Sequence, residues 1–417
     1  MFAVAEFRAL WLAQLLSVAG DQLARVALTI LVYERTRSSL LAAITFVCSI
    51  VPTFLGGLML AWLADRYPRR RVMIACDLAR GGLVLVMAIH GMPIIVMVAL
   101  LFVVTLIGAP FQSARAAVYP DVLEGDKYVV GTAVTMTTFQ FAQVIGFAAG
   151  GAITGALGTG TSLVIDAATY AGSALLVRLW VRDRPAAAAR VNGTVPRAKG
   201  GSVADGIRLV FGNPALRIPM LVGWLAAFFD VSEGVATPLA RSLGGGPIAV
   251  GFLLAVTALG ITIGTLLFSR LVAPEARLRW MGPLAVANGV ILVLFAAQPG
   301  LWGALVILCV AGMCGCCQLA ASAAFVRAAP FDRRSQAFGL AQGGMNLGQG
   351  TVMILAGAVA ESLAPAFVIA ICGGIGGIAA TALAIAWSRN RDLTRDPDLA
   401  GCLLPTSRTH DPSFKNT

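Results

Sequence analysis

The apolar residues of this chain fall in blocks of 18–25, and that pattern constrains its fold more than any other feature. Each block is long enough to cross the roughly 30 Å hydrocarbon layer of a bilayer as a helix. Within lipid, every backbone N–H and C=O must be satisfied inside the protein, so only helices or closed barrels can cross. The blocks are continuous and lack the alternation of barrel strands. The chain reads as an all-α polytopic membrane protein. Its composition agrees: 12% of the 417 residues are charged and 58% hydrophobic, whereas a soluble domain carries about 25% charged residues.

Breaking the sequence at charged and Pro/Gly-rich joints predicts twelve helices. They cover 8–32, 39–64, 72–90, 94–115, 129–153 and 161–181 in a first half, then 215–237, 248–271, 280–297, 301–326, 336–360 and 365–388 in a second. The chain thus divides into a six-helix half at 1–181, a central loop at 182–214, a second six-helix half at 215–388 and a tail at 389–417. With the N-terminus in the cytoplasm, 26 of the 31 Lys and Arg residues fall on the cytoplasmic side, and only Arg35, Arg37 and Arg241 on the outer side. Positive loops stay inside, so both termini, the central loop and the tail are expected there. Neither polar segment is long enough to bury a core of its own, which argues against an attached enzyme domain. Arginine outnumbers lysine 28 to 3, as in a high-GC bacterial coding sequence, so the expected location is a bacterial cytoplasmic membrane.

The net charge of +11 is scattered over short loops with no soluble domain to present it, so no nucleic-acid partner is expected. Cys314, Cys316 and Cys317 cluster without His, Asp or Glu nearby, and no metal site is expected there. No G-x-x-x-x-G-K-S/T loop occurs, so an ion gradient is the expected energy source and no cofactor is needed. One charge falling through 100 mV releases about 2.3 kcal/mol. That sustains a gradient of a few tens-fold for a neutral cargo, at about 1.4 kcal/mol per tenfold.

The two halves echo each other at a spacing of 208–209 residues. Phe7-Arg8 matches Leu216-Arg217, Asp21 matches Asp230, Ser113-Ala114 matches Ser322-Ala323, and Gly131 matches Gly339. A nearly constant register that includes charged residues predicts a parallel repeat, with a small-molecule site between the halves near the midplane.

The loop Ala61-Trp62-Leu63-Ala64-Asp65-Arg66-Tyr67-Pro68-Arg69-Arg70-Arg71 resembles the G-x-L-A-D-R-x-G-R-R signature of the major facilitator superfamily, with both glycines replaced. Gly146-Phe147-Ala148-Ala149-Gly150-Gly151 is similar to the G-P-x-x-G-G helix-packing motif of its antiporters, without the proline. The opening Phe7-Arg8-Ala9-Leu10-Trp11-Leu12-Ala13-Gln14 with Asp21 looks like the macrolide-efflux and enterobactin-exporter branch. By that resemblance Asp65 docks at the N-terminus of the eleventh helix, near Arg334 and Ser335, as a conformational latch. Arg66, Arg69 and Arg70 would support it, and Arg115 would be a partner for Asp65. A carboxylate at a helix N-terminus is worth up to about 2 kcal/mol when partly buried.

Ionisable residues at membrane depth are costly and mark sites by default. Asp21 and Arg25 stand four apart on the first helix and Asp230 and Glu233 three apart on the seventh, so each pair shares a face. Arg25 is expected to pair with Asp21, while Asp230 and Glu233 repel each other and carry the proton. Asp77 and Arg80 are expected to form a local pair, and Asp166 to face water. Gln342, Asn346 and Gln349 share one face of the eleventh helix. The resulting expectation is a monomeric, proton-coupled exporter of a small amphipathic compound: a drug, an antibiotic or a siderophore-like molecule. An uncoupled facilitator or importer, and a non-transporting receptor or assembly factor on the same scaffold, remain the alternatives.

Overall fold

The computed structural model describes residue 2 and residues 4–60, 62–123, 126–184, 203–330 and 334–391. Their regular structure is entirely helical. The first half contains α1 (Ala5–Thr36), α2 (Ser39–Val47), α3 (Val51–Leu60), α4 (Trp62–Arg66), α5 (Arg69–Met87), α6 (Ile94–Val122) and α7 (Asp126–Trp180). After α8 (Val203–Gly212), the second half contains α9 (Pro214–Trp224), α10 (Ala226–Phe229), α11 (Val231–Gly234), α12 (Ala236–Ser242), α13 (Pro247–Leu271) and α14 (Pro274–Val293). It ends with α15 (Leu301–Cys314), α16 (Cys317–Ala328), α17 (Arg334–Val359) and α18 (Pro365–Arg391). Nine helical segments among the described residues are long and apolar enough to cross a membrane, making this a multi-pass membrane protein.

Every predicted span falls on helix, but several are not single helices. The segment Val130–Trp180 turns back at Gly158, whose φ of 81° and ψ of 166° lie in a region open only to glycine. The span predicted at 39–64 is interrupted after Val47. Pro52 has no N–H to continue the ladder, and the Thr53 N–H instead reaches the Ile50 carbonyl at 3.2 Å. The span predicted at 215–237 is broken into α9 to α12, with Asp230 and Val235 at two of the breaks. Pro238 contributes, because it cannot donate back to Gly234.

Glycines set the closest crossings. In the second half, a Cβ on Gly260 or Gly264 of α13 would lie 2.3 Å from the Cys309 carbonyl or 2.2 Å from that of Met313, on α15. In α7, Gly146 and Gly150 press on α1, where added Cβ atoms would come within 3.0 Å of the Ala19 carbonyl and 3.1 Å of the Leu23 Cα. Gly151 faces the other way. A Cβ there would lie 2.6 Å from the Pro247 carbonyl and 2.7 Å from the Gly251 Cα of α13, so the halves meet at these two glycines.

Candidate functional site

The buried charges of the first half converge on Arg80, not on Arg25. The Arg80 Nη2 donates to the Asp21 carboxylate at 2.7 Å, and the guanidinium lies 4.3 Å from the Tyr170 ring centroid. The Tyr170 hydroxyl donates to the same Asp21 oxygen. The expected Asp21–Arg25 pair is therefore corrected. Arg25 turns to the break in the second span, where its Nη2 donates to the Ser49 carbonyl at 3.0 Å. That carbonyl is free because Thr53 bonds to Ile50 instead. The expected Asp77–Arg80 pair is corrected as well: Asp77 accepts from the Ser173 hydroxyl at 2.6 Å. Asp166 does not face water. It is fully buried, against Gly20.

These side chains line a cavity of about 190 Å³ enclosed by the six spans of the first half. Asp21 and Arg25 come from α1, Ser49 from the break after α2, Arg80 from α5, Gln112 from α6, and Gln143 and Asp166 from the two arms of α7. The space around Asp230 in the second half is far smaller, about 20 Å³. Asp230 sits at a helix break and accepts from Gln349 Nε2 at 3.1 Å. The single helix expected to carry Asp230 and Glu233 is thereby corrected to two short ones that meet at Asp230. Glu233 acts across the halves: its carboxyl attracts the Arg25 guanidinium of the first half. Gln342 donates to Asn346 at 3.3 Å on α17.

The side chains of Asp65, Arg334 and Ser335, on which the expected latch depends, lie outside the described residues. The neighbouring arginines bond within the first half. Arg69 donates to the Ala117 carbonyl at 2.6 Å and to Asp121 at 2.9 Å, and Arg70 donates to the Arg178 carbonyl. Arg66 lies 5.9 Å from the Trp62 ring centroid. Arg115 donates to Gln112 on its own helix and lies 6.0 Å from the Tyr119 ring centroid. Among the described residues no His, Cys, Asp and Glu cluster could hold a metal ion.

At the opposite end, a contact that the sequence reading passed over joins the halves. Glu361, between α17 and α18, accepts from the Ser38 hydroxyl at 2.7 Å and from the Leu40 N–H at 2.9 Å, at the start of α2. Arg241 of α12 pairs with Glu34 of α1 beside it. The Leu40 N–H, and then the Ser38 hydroxyl, hold the Glu361 carboxyl below its ordinary range. A depressed carboxylate pKa stabilises the contact above the ordinary value of about 4.3, and that stabilisation is lost as pH falls through the lowered value. Spin labels on Arg37 and Leu363 should therefore separate at low pH, and at every pH in Glu361→Ala. A label distance that ignores both changes would refute this.

The sequence profile of the Major Facilitator Superfamily matches residues 10–237 and 232–408. The chain is 25% identical over 319 residues to the multidrug efflux pump Tap of Mycobacterium tuberculosis (strain ATCC 25618 / H37Rv), covering 72% of this chain and 74% of that protein. Tap of Mycobacterium bovis (strain BCG / Pasteur 1173P2) matches equally. Among solved structures, the nucleoside transporter NupG superposes with a TM-score of 0.68 at 14% identity, over 91% of this chain and 98% of that one. A POT family transporter in complex with a thioalcohol-conjugated peptide gives 0.74 at 9% identity, over 92% of this chain and 96% of that one. At these identities the structural likeness speaks for the fold alone.

Proposed function

This chain belongs to the major facilitator superfamily, and we propose that it is a secondary active exporter driven by proton entry. Its cargo is a small amphipathic compound, and twelve crossings place both termini in the cytoplasm of a bacterium. It works as a monomer without cofactor, rocking two six-helix halves about a central site.

One observation carries this reading: the Glu233 carboxyl of the second half attracts the buried Arg25 guanidinium of the first. Rocking that separates the halves must weaken this attraction, and a proton on Glu233 removes it. Coupling needs a step of this kind, because proton binding then favours one arrangement of the halves. Asp230, held by Gln349, stands three residues away as a second acceptor. The likeness to Tap supports efflux as the direction.

Everted vesicles test the proposal directly. With an inward proton gradient and a lumenal pH dye, members of a macrolide, siderophore and cationic-dye panel should trigger proton release. Asp230→Asn and Glu233→Gln should each lower the rate at least about tenfold, the equivalent of 1.4 kcal/mol. Unaltered proton-coupled rates in both variants would sink the assignment.

A further inference from the structure

Asp166, a fully buried carboxyl of the first half, takes no part in that proton path. Asp166 stands eight residues beyond Gly158 on the second arm of α7, roughly 12 Å along the helix. It is 0% exposed. Thr169 Oγ1 approaches one of its oxygens at 3.4 Å, while its Oδ2 has no hydrogen-bond partner. Its place depends on Gly20, where an added Cβ would fall 2.3 Å from Asp166 Oδ1.

The charges facing Asp166 are already engaged. Arg80 is bonded to Asp21, and Arg25 to the Ser49 carbonyl. No charged side chain from α2 lines the cavity, and α6 and the first arm of α7 bring Gln112 and Gln143. A second acceptor in the same cavity is also unmatched: Gln22 Oε1, on a side chain 3% exposed. A cavity of this size beside two unmatched oxygens suits a small cation. A bare carboxylate at this depth costs several kcal/mol, and a bound cation removes that cost.

We propose that this cavity binds a proton on Asp166, at a site separate from Asp230 and Glu233. The step is simple addition: Oδ2 gains an O–H bond, a hydronium from the bathing water is left as water, and no electrons are exchanged. Gln22 Oε1 then accepts from the new hydroxyl or from an intervening water. The use of this proton for coupling rests on the transporter reading, but its binding does not.

The test therefore requires no transport. Infrared difference spectra of the full chain in lipid nanodiscs, recorded between alkaline and neutral pH, should contain a protonated-carboxyl band. Asp166→Asn should remove the Asp166 component of that absorption, leaving any from Asp230 and Glu233, and Asp166→Glu should move it. The Asp166→Glu shift is the decisive reading, because that variant keeps the carboxyl. An Asp166→Asn spectrum that matches wild type, or an Asp166→Glu spectrum that matches wild type, overturns the proposal. Suppression of the band by sodium chloride, but not by choline chloride, at fixed pH would overturn the assignment to a proton in favour of sodium. A wild-type chain that shows the Asp166 band but releases no lumenal protons in the vesicle assay supports the site and sinks the transporter reading.

Discussion

Arg80→Ala should lower the thermal stability of the protein in lipid more than any other single change to the buried charges. Removing one partner of a buried ion pair costs about 3–5 kcal/mol, because the other charge is left without compensation. Here the loss is compounded. The guanidinium is 6% exposed, holds Asp21 at 2.7 Å and stacks on Tyr170, and Asp77 and Asp166 also feel its charge. Arg80→Lys keeps the charge but not the planar fork or the stacking, so it should recover only part of the stability. The double variant Asp21→Leu with Arg80→Met removes both charges and should be far closer to wild type than Arg80→Ala. Unfolding followed by size-exclusion fluorescence over temperature gives the cycle. An Arg80→Ala midpoint equal to that of wild type would show that the cluster does not hold the bundle together.

The helices and their order were legible because continuous hydropathy and a low density of charge are properties of the sequence itself. The partners within the membrane were not. Asp21 and Arg25 share a helix face, and spacing alone favours their pairing. The winner was a residue 59 positions away on another helix, since Arg80 meets Asp21 only after α1 and α5 have packed. Tyr170 gave no signal inside its apolar run, although its hydroxyl bonds Asp21. Asp166 was expected to face water near the end of its helix, and only the fold buries it against Gly20. Glu361 lay in a short loop, where a lone acid is ordinary. Only the fold brings it to the first turn of α2.

Gly151→Val should shift the protein toward the arrangement in which the halves separate beside Gly251. In the structure, even a Cβ at Gly151 would lie 2.6 Å from the Pro247 carbonyl, and backbone cannot move aside as a flexible side chain can. Overpacking of this kind costs about 1–3 kcal/mol. That cost falls only on the state in which the two glycines touch, so the equilibrium should move by roughly five- to 150-fold. The Glu361 contact would then be broken in most molecules, and spin labels on Arg37 and Leu363 would report the longer distance. Transport should fall, since a cycle biased this far populates one of its states too rarely. Gly260→Val is the control. It clashes with the Cys309 carbonyl inside the second half, so its strain is present in both states. It should lower the unfolding temperature while leaving the label distance unchanged. If Gly151→Val behaves like Gly260→Val, destabilising the protein without moving the labels, then the Gly151–Gly251 contact is a fixed joint and the halves rock about some other line.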